Sequence, residues 1–95
     1  MHNVLIERFR NEILSLAARH GASNVRVFGS LARGEDSEHS DLDLLIQLGE
    51  DRSLLDVVGL KLDLEDLIHC PVDVVTEGAL SPYIRDRVLA EAVPL

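Results

Sequence analysis

Asp41 and Asp43 flank Leu42 at the point where the apolar run LDLLIQL, residues 42–48, begins. Along a strand, residues two apart point to one face about 7 Å apart, so the two carboxylates project side by side. Like charges at the mouth of an apolar strand cost stability unless they are hydrogen-bonded, salt-bridged or metal-bound. Hard divalent cations such as Mg²⁺ favour carboxylate oxygens and complete their shells with water and substrate phosphates. A third carboxylate, Asp73 in VDVV, belongs to a later β-branched run. If it shares the face of the pair, three aspartates can hold two metals about 4 Å apart, which stabilises entering and leaving oxygens in phosphoryl or nucleotidyl transfer. Asp73 is then placed to take a proton from an attacking hydroxyl or to anchor the metal near it. Its side is set by strand register, which a one-residue slip inverts.

The other end of such a substrate falls to Gly29, Ser30 and Arg33. A glycine after a strand lets backbone amides approach phosphate oxygens, and a helix opening at Ser30 aims its N–H groups at the same anion. Arg33 adds a bidentate phosphate contact. Each part also has a plain reading: Gly-Ser as a turn, Asp-X-Asp as a solvated loop end, Arg33 as a surface residue. Their conjunction favours the chemical one. His20, His39 and His69 read as solvent-facing or helix-terminal groups without catalytic duty. Cys70 reads as a small buried core residue. DSEHSDLD lacks the glycine and distal glutamate of an EF-hand loop.

The elements that must position these groups follow from periodicity. Residues 3–20 repeat apolar groups at Leu5, Phe9, Ile13 and Leu16, one buried helical stripe, and Gly21 ends it. NVRVFG gives a short strand ending at Gly29, and residues 42–48 a second. Ser53 with Asp56 forms a capping box for a helix running to about residue 69. Its apolar positions exceed one stripe: Leu54, Val57, Val58, Leu64, Leu67 and Ile68 are expected inward, leaving Leu55 and Leu62 elsewhere. That surplus implies either a partner or a helix buried on two sides. PVDVVT supplies a third strand, and Ser81-Pro82 start a last helix with Ile84, Val88, Leu89 and Ala92 inward. The expected architecture is α/β in the α+β sense, a small mixed sheet flanked by helices in the order α-β-β-α-β-α.

At 95 residues, 46% of them hydrophobic and 27% charged, residues 1–95 read as one ordinary domain. The apolar stretches are shorter than the ~20 residues of a membrane helix, and the N-terminus lacks a signal pattern, which predicts a cytoplasmic protein without membrane contact. The net charge of −8 opposes direct nucleic-acid binding and favours a basic partner. Residues 1–34 hold five arginines against two glutamates, whereas residues 35–95 hold fifteen acids against four bases. An anionic ligand on the acidic portion therefore needs a metal cation as mediator.

FGSLARGEDSEHSDLDLLI resembles the signature of the DNA polymerase β nucleotidyltransferase superfamily. It matches at Gly29, Ser30, Asp41, Asp43 and Asp73, and Ala32-Arg33-Gly34 resembles its minimal nucleotidyltransferase (MNT) branch. The resemblance covers essentially the whole chain. It implies a polymerase β palm-like fold, ATP as donor, two Mg²⁺ held by Asp41, Asp43 and Asp73, and phosphates held by Gly29, Ser30 and Arg33. It further implies a helical HEPN-family toxin as partner, with AMP passed to a tyrosine on it, so that the chain acts as an antitoxin. Two alternatives stand beside this: an antitoxin that neutralises by binding alone, and an adenylyltransferase acting on a small molecule. The second suits a chain this short less well, because little room is left for a deep acceptor pocket.

Overall fold

The computed structural model describes residues 4–34 and 41–95; Asn3 at the expected helix start, and His39, lie outside the described residues. The elements are α1 (Val4–Arg19), β1 (Ala22–Phe28), β2 (Leu42–Leu48), α2 (Leu54–Ile68), β3 (Val72–Thr76), a 3-10 turn (Glu77–Ala79), α3 (Pro82–Glu91) and β4 (Val93–Pro94). They form a mixed four-stranded sheet in the order β3-β2-β1-β4. β1 runs antiparallel to β2 and to β4, while β2 and β3 are parallel, joined by α2 as the crossover that parallel pairing requires.

Local signals explain most boundaries. Gly21 adopts φ 74° just past α1, a left-handed position that glycine occupies without steric cost. The Ser53 Oγ accepts from the Leu55 N–H at 3.2 Å, and the Ser53 N–H donates to Asp56 Oδ2 at 3.1 Å, closing the capping box that opens α2. At α3, Ser81 caps with Pro82 in the first turn.

β2 is an inner strand of the sheet and feeds two cores. Leu42, Leu44 and Ile46 point to one face, where they meet Val25, Val27, Val72 and Val74 beneath Ile6, Ile13 and Ala17 of α1 and Leu60, Leu64 and Ile68 of α2. Leu45 points to the other face and packs with Leu80 and Val88, with Phe28, Val75 and Leu89 at the margin. Burying a Leu or Ile of this kind contributes about 1.5–3 kcal/mol, so β2 is fixed from both sides. Asp43, between Leu42 and Leu44, is thereby held to the α3 face.

Several expectations need correction. The segment from Gly29 to Gly34 is a set of turns, with the Arg33 N–H donating to the Gly29 carbonyl at 3.2 Å, and no helix opens at Ser30. Leu54 and Val58 face outward, 75% and 44% exposed, because Leu60 takes their place against the sheet; Leu55 and Leu62 are exposed as well. In α1, Ile6 and Ala17 join Ile13 in full burial while Leu5, Phe9 and Leu16 sit at the core margin; Ile84 of α3 is exposed. Cys70 is half-buried, and burial, then Asp41 and Glu65, raises its pKa. β4 adds a strand beyond the expected order.

The sheet ends at β3, whose outer edge is partly covered. Lys61 Nζ donates to the Val72 carbonyl at 2.8 Å and to Glu65 Oε2 at 2.9 Å, and the Val72 N–H donates to the same Glu65 oxygen at 3.1 Å.

Candidate active site

Register brings the acidic groups together. In the parallel β2–β3 pair Asp43 lies directly opposite Asp73, and in the antiparallel β1–β2 pair it lies opposite Phe28, the residue before Gly29. Paired residues on neighbouring strands share a face and lie about 4.8 Å apart in the pairing direction. Val72 and Val74 are buried in the main core, so Asp73 between them points to the opposite face and is exposed. Asp41 stands just before β2, exposed, on the alternation that puts it with Asp43.

Asp43 is the most constrained of the three. It is half-buried, and burial first, then the charges of Asp73 and Asp41, push its carboxyl up from 3.8 to about 6; Arg33 opposes this and Glu91 adds to it. A carboxylate desolvated beside two like charges is the condition that a bound divalent cation relieves, and a set of aspartate oxygens is the donor chemistry such a cation takes.

Gly29 closes this site from the β1 side. Its φ is 74°, and a Cβ built there would run into Asp43 Oδ2. Both the backbone conformation and the approach of the aspartate therefore demand glycine. Ser30 follows in the turn, half-buried. Arg33, at the end of the turn, extends to α3, where its guanidinium donates to Glu91 Oε2 at 2.9 Å.

The structure thus places Asp41, Asp43, Asp73, Gly29 and Arg33 toward one end of β2, with Ser30 in the adjoining turn, although among the described residues no three acidic, histidine or cysteine side chains already stand together as a metal-binding group. Glu91 was not among the residues singled out from sequence. The signal for it is faint: an acid in the last turn of a helix, where the helix dipole disfavours negative charge. The two described histidines stand apart from this cluster: His20 Nε2 pairs with Asp63 at 2.7 Å, and His69 is the left-handed cap of α2. No helix is long and apolar enough to cross a membrane among the described residues.

Known proteins share this arrangement of elements. Residues 6–95 match the family profile of the nucleotidyltransferase domain. The protein adenylyltransferase MntA of Thermococcus cleftensis is 41% identical over 78 residues, covering 82% of this chain and 79% of that protein. A solved structure described provisionally as a minimal nucleotidyltransferase superposes with a TM-score of 0.86 at 54% identity, covering 99% of this chain and 98% of its own. The fold also recurs, at 17% identity and a TM-score of 0.71, in a tri-AMPylated Shewanella oneidensis HEPN toxin in complex with MNT antitoxin, over 93% of this chain and 69% of that one. Matched along residues 6–95 and aligned nearly end to end with a minimal relative, this chain belongs to the nucleotidyltransferase family of the polymerase β superfamily, as one of its minimal members.

Proposed function

We propose that this minimal nucleotidyltransferase is a Mg²⁺-dependent protein adenylyltransferase. Its donor is ATP, its acceptor is a tyrosine hydroxyl on a HEPN-family toxin, and the modification silences the toxin. The observation that carries this reading is the register that sets Asp43 beside Asp73 and opposite the end of β1 at Gly29. Asp41, Asp43 and Asp73 are the residues that would hold the metal, and their mutual repulsion at Asp43 supports a cation as the missing counter-charge. When bound, Mg²⁺ supplies charge neutralisation for the triphosphate and the departing pyrophosphate.

The chain's own residues supply the rest. Gly29 lets the turn amides come close to the phosphates, and the Ser30 hydroxyl and Arg33 guanidinium add donors to the same anion. The acceptor oxygen forms a bond to the α-phosphorus as the bond to the bridging oxygen breaks, and pyrophosphate leaves. Asp73, exposed like Asp41 but set on the neighbouring strand, takes the proton from the attacking hydroxyl. The MntA name and the AMPylated toxin complex support a protein acceptor. The net charge of −8 supports a basic partner.

Incubation with α-labelled ATP, Mg²⁺ and a HEPN-family toxin that binds this chain tests the proposal. Label is expected on the partner tyrosine, and Asp41→Asn with Asp43→Asn is expected to reduce transfer at least ~1000-fold, the scale of losing a charged transition-state contact. Unlabelled partner in every mixture, with or without chelator, sinks the enzyme reading. A second reading, neutralisation by binding alone, is favoured by the apolar surface that α2 leaves exposed at Leu54, Leu55 and Leu62. It requires the double variant to neutralise the toxin as fully as the wild type.

A further inference from the structure

Glu91 combines three features that each disfavour a carboxylate. It is the last residue of α3, where carbonyl ends concentrate partial negative charge. Its side chain is largely enclosed, 18% exposed. Its charge also acts on Asp43, in a neighbourhood that already holds Asp41 and Asp73. Against these stands the 2.9 Å contact with Arg33. The Arg33 end of this pair is about half exposed, so the pair contributes little to stability and stability alone is a poor reason to keep an acid here.

Placement gives a better one. β4 follows α3 directly and pairs Val93 with Val27 and Pro94 with Arg26, and the Leu95 N–H donates to the Val25 carbonyl at 3.0 Å. These bonds tie the end of α3 to β1, the strand whose own end leads into Gly29, Ser30 and Arg33. Glu91 is thereby set at a fixed place relative to the turn that carries the arginine. Arg33 itself lies at the site, since its backbone N–H donates to the Gly29 carbonyl at 3.2 Å and Gly29 stands against the Asp43 carboxylate.

Building on nucleotidyl transfer at this site, we propose that Glu91 is a positioning residue that holds the Arg33 guanidinium in place to meet the triphosphate of the incoming nucleotide. A long arginine side chain loses rotamer freedom when it engages a phosphate, and a carboxylate that fixes it beforehand removes part of that cost. The contribution then appears in nucleotide affinity more than in the chemical step, because the hold is the same before and during transfer.

The test measures Mg²⁺-ATP binding by calorimetry and AMP transfer by label for the wild type, Glu91→Gln, Arg33→Ala and the double variant. Glu91→Gln keeps the shape and an acceptor oxygen, and its fold is checked by thermal melting. The expected result is a Kd and KM for ATP raised about tenfold with kcat changed less than about threefold, in line with one charge-assisted hydrogen bond. In the Arg33→Ala background the Glu91 change is expected to add nothing, since its effect runs through the arginine. An unchanged or tightened nucleotide affinity in Glu91→Gln overturns the proposal, as does an effect that persists in full without Arg33. A wild type that binds Mg²⁺-ATP but labels no partner refutes the transfer reading and leaves the affinities to decide the role of Glu91. A wild type that binds no Mg²⁺-ATP overturns both.

Discussion

Asp43 shows how one side chain can be set against the stability of its own fold. Its carboxyl titrates near 6 in the folded chain, above the ordinary value of 3.8. A raised carboxyl pKa means the folded state prefers the protonated form. The associated stability is therefore complete below about pH 4 and is lost as pH rises through about 6. Asp43→Asn, neutral at all pH, is expected to melt higher than the wild type at pH 7 and to lose this part of the decline between pH 4 and 6. Mg²⁺ is expected to raise the wild-type melting point at pH 7 and to leave that of the variant nearly unchanged. Thermal melts across this range check both, and parallel pH profiles for the two proteins refute the cause assigned here. The paired aspartates, the glycine and the arginine were legible in sequence because each carries a short-range signature. Glu91 was not, since its contact with Arg33 spans 58 residues and no local pattern announces it.

At the scale of elements, the strands and helices that build the site had clear punctuation. Ser53 with Asp56, Ser81 with Pro82, and Gly21 mark ends through hydrogen bonds and backbone geometry that need no tertiary partner. Ser53→Ala is expected to cost about 1 kcal/mol in urea unfolding, from the loss of one cap acceptor, with nucleotide affinity unchanged. A loss below about 0.3 kcal/mol would mean that tertiary packing, not the cap, sets where α2 begins. β4 escaped because two residues, one of them proline, give no alternation to read, and it exists only through its pairing with β1. Which face of α2 is covered escaped for a related reason. Its apolar residues occupy two arcs, and periodicity marks an arc as apolar without saying whether Leu60 or Leu54 meets the sheet.

Taken whole, the molecule is acidic while the substrate proposed for it is anionic. At a net charge of −8 it repels free nucleotide at long range, which makes the cation part of recognition as well as of chemistry. The same charge would favour a basic surface on the proposed partner. Affinity for the HEPN protein is therefore expected to fall steadily with added NaCl, through slower association, as calorimetry and stopped-flow mixing would register. Affinity indifferent to salt would assign the interface to apolar contact instead. The overall layering was readable from the order of elements, because a strand, a helix and a parallel strand allow few arrangements.

Lys61 and Glu65, on α2, occupy the outer backbone groups of Val72. The carboxyl of Glu65 is held below its usual range by the hydrogen bond from Lys61 and then by that from the Val72 amide. The covering is thus secure at neutral pH and weakens in acid, as Glu65 takes up its proton. A border strand covered at its first residue offers fewer free backbone groups for a second chain to pair with, and acidification should uncover those of Val72.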